Sequence, residues 1–327
     1  MPPASTEVRR AGTGRPWRPI SSGVTIHAAK HLLQTGLSYY AMRNHPDLVR
    51  DTRGAYRRGE APTTAEETYA NLLEGRYPQL RVADGVLSHT TAALLHGLCV
   101  PWRALHRIEI TRTADHWPHT SRHVRVHTGD VDGQDLVLLD GYPVTSLART
   151  VMDVARTWPH TWAVAAGDMA LRAGLERAQL DEMLERLGAV RGCLDARWVV
   201  GRLNAGAESP GESISRVMIL EAGLPEPTVQ AAFRVHGRDY RTDLLIEANG
   251  GVVGEFDGAG KYRRHASDDD PATAVLKEKL REDELRQVVH GFVRWGWPEL
   301  REPDGFIGRL AHLAGVRPRR LGPRPDF

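Results

Sequence analysis

The amino-acid sequence predicts a mixed α/β (α+β) protein, and three observations lead to that prediction. Near its start the sequence has the pattern of two short helices followed by a β-ribbon, and its middle alternates helical segments with short strands. Its last third contains an apolar β-hairpin with helical segments on both sides. At 327 residues the chain is long enough for two or three domains. We predict a flexible basic arm at residues 1–21 and domains at 22–60, 61–205 and 206–327.

The composition is that of an ordinary globular protein, with 41% hydrophobic and 26% charged residues. No apolar run approaches the roughly 20 residues needed to span a bilayer, and the first residues lack the apolar core of a signal peptide. We therefore expect a cytoplasmic protein with no membrane partner. Its two cysteines, Cys99 and Cys193, are too few for a disulfide framework or a four-cysteine zinc site, so we expect buried thiols.

The net charge is only +2, but the charges are distributed unevenly. Residues 1–60 contain ten Lys or Arg against four Asp or Glu. A basic end on a nearly neutral chain indicates a polyanionic partner that is bound by that end.

The segment from residue 22 to 59 has the pattern of a compact DNA-binding unit. A first helix is predicted at 26–34, where apolar side chains share one side. Ser38 caps a second helix at 39–44. Two short strands then flank a turn and form a hairpin, at 48–50 and 55–57. Helix, tight turn, helix and hairpin together predict a winged helix-turn-helix domain.

In such a domain the second helix would enter the major groove of DNA, and the hairpin would lie along the phosphates. The candidates for groove contacts are Ser38, Tyr39, Tyr40 and Arg43. The candidates for phosphate contacts are Arg50, Arg53, Arg57 and Arg58. The alternative is a small helical domain that docks a protein instead of DNA. A palindromic DNA site would favour a homodimer.

Two runs in the middle region support this prediction. SHTTAALLHG, from Ser88, predicts a capped helix that ends at a glycine, and PVTSLARTVMDVA, from Pro143, leads a strand into another helix. Together with the N-terminal segment, these runs resemble the AbiEi-type antitoxins of type IV toxin–antitoxin systems. The resemblance implies a DNA operator and a cognate toxin gene as partners.

His89 and His96 are seven residues apart in the first of these runs and could share a helix face. Because no third ligand accompanies them, we expect a structural role and not a metal site. The other middle segments are predicted to pack without chemistry. They comprise strands at 107–111, 124–127 and 136–139, and helices at 62–76, 161–173, 177–187 and 195–203.

The predicted hairpin of the last third carries three carboxylates. A three-residue loop at 248–250, with Gly250 in the left-handed conformation, places residue 243 opposite residue 255. Asp243, Glu255 and Asp257 then share one face of the hairpin, and apolar side chains cover the other. Paired carboxylates on a half-buried strand repel each other unless a cation compensates them. Mg2+, which takes one or two protein carboxylates, is the predicted ion, and a solvated acidic face is the alternative.

Asp243, an eleven-residue gap and then the EFDG run from Glu255 resemble the motif of restriction-endonuclease-like PD-(D/E)XK domains. The resemblance is closer to the Vsr-like domains that end many actinobacterial proteins. It implies a C-terminal α/β sandwich that hydrolyses phosphodiester bonds with Mg2+, and a third acid on the preceding helix, which Glu212 supplies. The sequence departs from the motif at Asp257, where a lysine is expected. Lys261 could supply the missing cation, or Asp257 could act as another ligand.

The helix predicted at 273–289 matches an RxD-type pattern of the same domains with Lys279, Arg281 and Asp283. Arg281 could bind a phosphate, and a solvated charged face is the alternative. Vsr-type repair enzymes carry a structural zinc, but no matching ligand set is present, so we expect no zinc. Two functions follow. One is a DNA-binding protein with a Mg2+-dependent endonuclease domain, and the alternative is a non-catalytic antitoxin and transcriptional repressor.

Overall fold

The computed structural model describes residues 25–52, 54–80, 85–112, 117–258 and 271–324. Within these residues the protein is a mixed α/β protein with twelve α-helices and three β-sheets. The chain forms two compact units, and each unit is discontinuous in sequence. The first comprises Met1–Thr157 and Gly174–Val190, and the second comprises Trp158–Ala173 and Arg191–Phe327.

The first unit begins with a small subdomain of three strands and two helices. Its elements are β1 (Thr25–Ala28), α1 (Ala29–Gln34), α2 (Tyr39–Arg43), β2 (Val49–Thr52) and β3 (Ala55–Arg58). The sheet is antiparallel, with the strand order β1-β3-β2. The buried core of the subdomain consists of Ala29, Leu32, Met42, Leu48 and Tyr56.

The structure corrects the start of the first helix, which we predicted at 26–34. Residues Thr25–Ala28 form β1 and pair with Ala55–Arg58, so the helix begins at Ala29. The β-branched residues at the start of this segment favour an extended chain, and β3 offers them backbone hydrogen-bond partners. The second helix and the hairpin have the positions that the sequence predicted.

The rest of the first unit is built around a six-stranded mixed sheet with the order β6-β7-β5-β4-β9-β8. Its strands are β4 (Val86–Leu87), β5 (Ile108–Arg112), β6 (His119–Thr120), β7 (Val124–Thr128), β8 (Leu136–Leu139) and β9 (Tyr142–Thr145). Its helices are α3 (Ala65–Leu80), α4 (His89–Leu95), α5 (Leu147–Ala155) and α7 (Arg177–Leu187). β5 runs parallel to β7 and antiparallel to β4.

The second unit contains a four-stranded sheet with the order β10-β11-β12-β13. Its strands are β10 (Thr228–Val235), β11 (Arg238–Ile246), β12 (Val252–Phe256) and β13 (Gly291–Trp295). Its helices are α6 (His160–Arg172), α8 (Cys193–Val200), α9 (Pro210–Glu221), α10 (Pro271–Leu285), α11 (Trp297–Arg301) and α12 (Asp304–Ala314). The first three strands form an antiparallel meander, and β13 runs parallel to β12.

The hairpin of β11 and β12 has the register that the sequence predicted. Leu244 pairs with Gly254, so Asp243 lies opposite Glu255 in the same ladder. Gly250 adopts a left-handed φ of 82° in the loop, as expected. The apolar face is also confirmed, since four of its side chains are buried: Leu244, Ile246, Val252 and Phe256.

A buried ion pair joins α6 to α9 within the second unit. Arg216 Nη2 lies 3.1 Å from Asp168 Oδ2, and the side chains are only 1% and 0% exposed. Burial raises the pKa of Asp168, while the charge of Arg216 opposes that rise. Asp168 also accepts a hydrogen bond from the backbone N–H of Asn204 (2.6 Å). In sequence, α6 lies between α5 and α7 of the first unit. It nevertheless belongs to the second unit, as does Arg216, which pairs with Asp168 of α6.

In the described part of the chain, no helix is long and apolar enough to cross a membrane. The two cysteines are half-buried, which corrects our expectation of buried thiols. Cys193 is the first residue of α8, and a side chain at a helix end is covered by fewer neighbours than one in the middle. Cys99 lies in the loop that follows α4.

Candidate functional sites

The outer side of α2 carries most of the residues predicted to enter a DNA groove. Tyr39 and Tyr40 are 62% and 79% exposed, and Arg43 is exposed at the end of the same helix. Ser38 caps the helix by accepting a hydrogen bond from the backbone N–H of Ala41 (3.1 Å). The cap therefore holds a short helix that presents aromatic and basic side chains to solvent.

The hairpin of β2 and β3 presents only part of the set predicted to contact phosphates. Arg50 and Arg58 are exposed. Arg57, in contrast, is buried and donates a hydrogen bond to the carbonyl of Gly59, which corrects our expectation for this residue. β3 is buried from Ala55 to Arg57, and Arg58, its last residue, is the one that is exposed. Arg53 lies outside the described residues.

Glu255, on β12, is the centre of a charged network in the second unit. Its side chain is buried between two guanidiniums. Arg281 Nη2, from α10, lies 2.6 Å from Oε1, and Arg294 Nη2, from β13, lies 3.1 Å from Oε2. Burial raises the pKa of Glu255 above its ordinary value, although the hydrogen bond and charge of Arg281 oppose the shift. Two protein cations thus compensate this carboxylate.

The guanidinium of Arg281, which we predicted to bind a phosphate, has three protein partners. Besides Glu255, it contacts Glu278 (2.9 Å) and donates a hydrogen bond to the carbonyl of Arg241 (2.6 Å). Arg294 also pairs with Glu278. The two arginines and the two glutamates therefore form one connected network.

Two of the other predicted acids, Asp243 and Glu212, accept hydrogen bonds from nearby protein groups. Asp243 Oδ2 accepts one from the backbone N–H of Phe256 (2.9 Å). Glu212 accepts two near the start of α9, from the hydroxyl of Ser209 and from the backbone N–H of Glu208 (both 2.8 Å). The Ser209 hydroxyl in turn accepts from the backbone N–H of Glu212 (3.3 Å). This reciprocal capping explains a buried glutamate at this position without a metal.

The described residues of this face do not fit a Mg2+ site as they stand. Both oxygens of Glu255 face guanidiniums, so a magnesium ion would have to displace at least one arginine. Asp257 is exposed, and its Oδ2 lies 4.0 Å from Arg294 Nη1. Lys261 lies outside the described residues. The arrangement among these described residues is an ion-pair network, and a Mg2+ site formed by Asp243, Glu255 and Glu212 stays a prediction.

A second cluster, which our sequence analysis missed, lies in the first unit. His89, Glu109 and His127 each offer a possible metal-ligand atom, and these atoms lie within 4.8 Å of one another. Among the described residues, this is the one group of three or more such side chains that meets that distance. Glu109 lies on β5 and His127 on its parallel neighbour β7. Both strands were predicted, but their pairing was not, and only the pairing brings the two residues together.

The surroundings of His89 are unusual in backbone and in charge. It begins α4 with a left-handed φ of 49°, which few residues other than glycine adopt. Its ring stacks on that of His127, with 3.5 Å between centroids and 9° between planes. Burial lowers the pKa of His89 to about 4, so the ring is neutral at pH 7. Burial raises the pKa of Glu109, but the neighbouring imidazoles of His127 and His89 and the hydrogen bond from the backbone N–H of Thr90 outweigh that effect and bring the pKa to about 2.

His96, which we expected to share a face with His89, has a different environment. Its Nε2 lies 2.8 Å from the carbonyl oxygen of Thr145. The imidazole next to His89 is that of His127, from another element of the unit. The spacing of seven along one helix did not identify this partner of His89.

No protein-family model matches the chain. Two uncharacterized proteins of Mycobacterium tuberculosis, named Rv2248 and MT2308, are each 31% identical to it over 189 residues. The match covers 57% of this chain and 67% of each mycobacterial protein. The chain belongs to the same family as these proteins. Their names assign no activity, so the function must be argued from the structure.

Proposed function

We propose that the protein binds DNA through the subdomain at the start of its first unit, and that its second unit is nuclease-like but does not cut. The order β1–α1–α2–β2–β3 fits a winged helix-turn-helix, with α2 as the helix that enters the major groove. The proposed role is that of an antitoxin-type transcriptional repressor, in line with the resemblance described above. Its partners would be a DNA operator and a cognate toxin.

The observation that carries the DNA-binding proposal is the outer surface of α2. Met42 supplies the buried contact of this helix, so Tyr39 and Tyr40 are not needed for the core. Their hydroxyls can bond to base edges or phosphates, and their rings can contact the thymine methyl group. Exposed arginines of the same subdomain add the positive charge that phosphates require: Arg43, Arg50 and Arg58.

The two guanidiniums on Glu255 favour binding over cutting. An arginine keeps its charge across the physiological pH range, so Arg281 and Arg294 remain cations beside Glu255. The position where the resembling nucleases need a lysine is occupied by Asp257. A carboxylate that is already compensated in this way supports the fold without a metal.

A Mg2+-dependent endonuclease is the second candidate, because the hairpin register brings Asp243 opposite Glu255. The element order α9–β10–β11–β12–α10–β13 also fits the restriction-endonuclease-like sandwich that the sequence predicts. In this candidate, Asp243, Glu255 and Glu212 would hold the ion after Arg281 and Arg294 had released Glu255. The bound ion would supply a water of lowered pKa.

Cleavage of supercoiled plasmid distinguishes the two candidates. The wild type and Glu255→Ala are incubated with Mg2+ or Mn2+ at equal DNA occupancy, which is measured by band shift. We expect both proteins to bind and neither to nick, because arginine compensates Glu255. Glu247→Ala, which removes an exposed glutamate at the end of the same hairpin, is the control.

Nicking by the wild type and by the control, but not by Glu255→Ala, would establish the endonuclease. Absence of DNA binding by all three proteins would overturn both candidates.

A further inference from the structure

We propose that His89, Glu109 and His127 form a binding site for a divalent transition metal, with zinc as the best match. The site lies in the first unit, and it depends neither on DNA binding nor on the network around Glu255.

The types of ligand atom in the cluster indicate which metal it would bind. Two imidazole nitrogens and one carboxylate oxygen are the ligands that zinc takes in sites with an open fourth position. Mg2+ and Ca2+ prefer oxygen ligands alone, and copper(I) prefers thiolates or thioethers, which the three residues do not include.

Three different elements hold the ligands. Thr111 pairs with His127 across the parallel strands β5 and β7, and Glu109 lies two residues before Thr111, so Glu109 and His127 share one face of the sheet. His89 reaches them from the first position of α4. Its left-handed backbone is the kind of strain that accumulates where a side chain must be held in one place.

A buried carboxylate oxygen without a partner points toward this cluster. Asp153, on α5, is completely buried, and its Oδ1 accepts a hydrogen bond from Arg149 Nε (3.0 Å). Its Oδ2 has no hydrogen-bond partner among the described residues and lies 4.0 Å from His89 Nδ1. A carboxylate behind a ligating histidine fixes the ring and raises its basicity. Asp153 lies on the Nδ1 side of the His89 ring and could orient the ring in this way. The other ring nitrogen, Nε2, would then bind the metal.

Metal binding requires two movements within the cluster. Arg125 Nη1 lies 3.1 Å from Glu109 Oε1, and this guanidinium, whose side chain is 44% exposed, must turn to solvent to free the carboxylate oxygen. The second movement concerns the stacked rings. Imidazole binds a metal in the plane of its ring, and a single ion cannot lie in the planes of two rings stacked 3.5 Å apart. The side chain of His127 is 21% exposed, and its Nε2 has no hydrogen-bond partner in the described part of the chain. His89 is more deeply buried, and its Nδ1 lies 3.0 Å from Ser88 Oγ. His127 is therefore the ring that turns.

The metal content of the full chain tests the proposal. The protein is made without a histidine tag, saturated with Zn2+ and dialysed against metal-free buffer, and its zinc is then measured by mass spectrometry. We expect one ion per chain. His127→Gln should weaken zinc binding by at least about tenfold, the loss typical of disturbed metal sites. His123→Gln is the matched control, because His123 is also half-buried and lies just before β7.

Cobalt provides a second readout, because Co2+ occupies zinc sites and its visible absorption reports its coordination. The four-coordinate absorption should appear in the wild type and in His123→Gln, and should be lost in His127→Gln. Circular dichroism verifies that each variant is folded, and Glu109→Gln replaces His127→Gln if the latter misfolds. The proposal is wrong if the wild type retains neither ion, or if His127→Gln and Glu109→Gln bind zinc as tightly as the wild type.

Discussion

Arg57 and Arg58 are neighbours on β3, but their guanidiniums lie in different surroundings. Arg57 is buried and hydrogen bonded to the carbonyl of Gly59, whereas Arg58 is exposed. A buried arginine stabilises a protein through its methylene groups as well as its charge. Of the two, only Arg58 presents its guanidinium to solvent.

We expect Arg58→Ala to weaken DNA binding and to lower the slope of log K against log salt concentration by about 1. Its free energy of unfolding should stay within about 0.5 kcal/mol of the wild type. Arg57→Ala is the comparison, and it should lower the free energy of unfolding by about 1–3 kcal/mol because a buried hydrogen bond and its packing are lost.

Fluorescence anisotropy of a labelled duplex at several salt concentrations measures the slope, and urea denaturation measures the stability. A slope that stays the same in Arg58→Ala would show that this strand does not contact phosphates.

The sequence predicted where the acids lie, but not which groups neutralise them. Asp243 could be placed opposite Glu255 because a short loop fixes the register of a hairpin. Arg281 and Arg294 approach from α10 and β13, and their positions depend on packing between distant segments, which no local pattern encodes. His127 was missed for the same reason, since no tight turn fixes the parallel pairing of β5 with β7.

At the scale of the elements, Gly211 explains how closely α9 packs against β12. A Cβ atom at this position would lie 2.0 Å from the ring of Phe256, far inside van der Waals contact. Because Gly211, in the first turn of α9, has no side chain, the phenyl ring of Phe256 lies directly against the helix backbone. Phe256 is itself buried, so the ring has little room to move away.

We expect Gly211→Ala to lower the free energy of unfolding by about 1–3 kcal/mol, because the added methyl group overpacks this contact. Gly308→Ala should have the opposite sign. Gly308 lies within α12 with open space around it, so alanine should stabilise that helix by up to about 1 kcal/mol. Urea denaturation of both variants tests the pair. A Gly211→Ala variant as stable as the wild type would show that α9 can move away from β12 at no cost.

Most elements could be predicted because they carry a periodic pattern or clear end signals. β13 (Gly291–Trp295) is an example, since its apolar run follows a helix and begins at a glycine. β1 was assigned to a helix because four residues are too few to show a period, and its partner β3 is distant in sequence. The mixed α/β class was thus predictable, whereas the pairing of short strands was not.

At the scale of the whole molecule, each unit is assembled from two separate stretches of chain. The second unit takes α6 from a stretch that lies between two parts of the first. A domain that begins at residue 206 stays a prediction, and the buried ion pair between Arg216 and Asp168 allows a test of it.

A fragment of residues 206–327 would contain Arg216 but not Asp168. Removing one partner of a buried ion pair costs about 3–5 kcal/mol, so we expect this fragment to be unfolded or far less stable than the parent. The longer fragment 158–327 retains both partners and should fold cooperatively. Circular dichroism and urea denaturation of the two fragments measure the difference. Equal stability would show that α6 is dispensable to the second unit.

The interleaving of the two units also sets an order of events during protein synthesis. The ribosome releases α6 before it releases α7, the last helix of the first unit, and well before α9, which carries the ionic partner of α6. Nine of the 13 residues of α6 are buried in the folded protein. Until α8 and α9 are released, α6 lies on the nascent chain without these two helices of the second unit, which it contacts. During this interval a chaperone would bind the exposed apolar side chains of α6. The speed of translation sets the length of the interval, and with it the fraction of molecules that reach the native state.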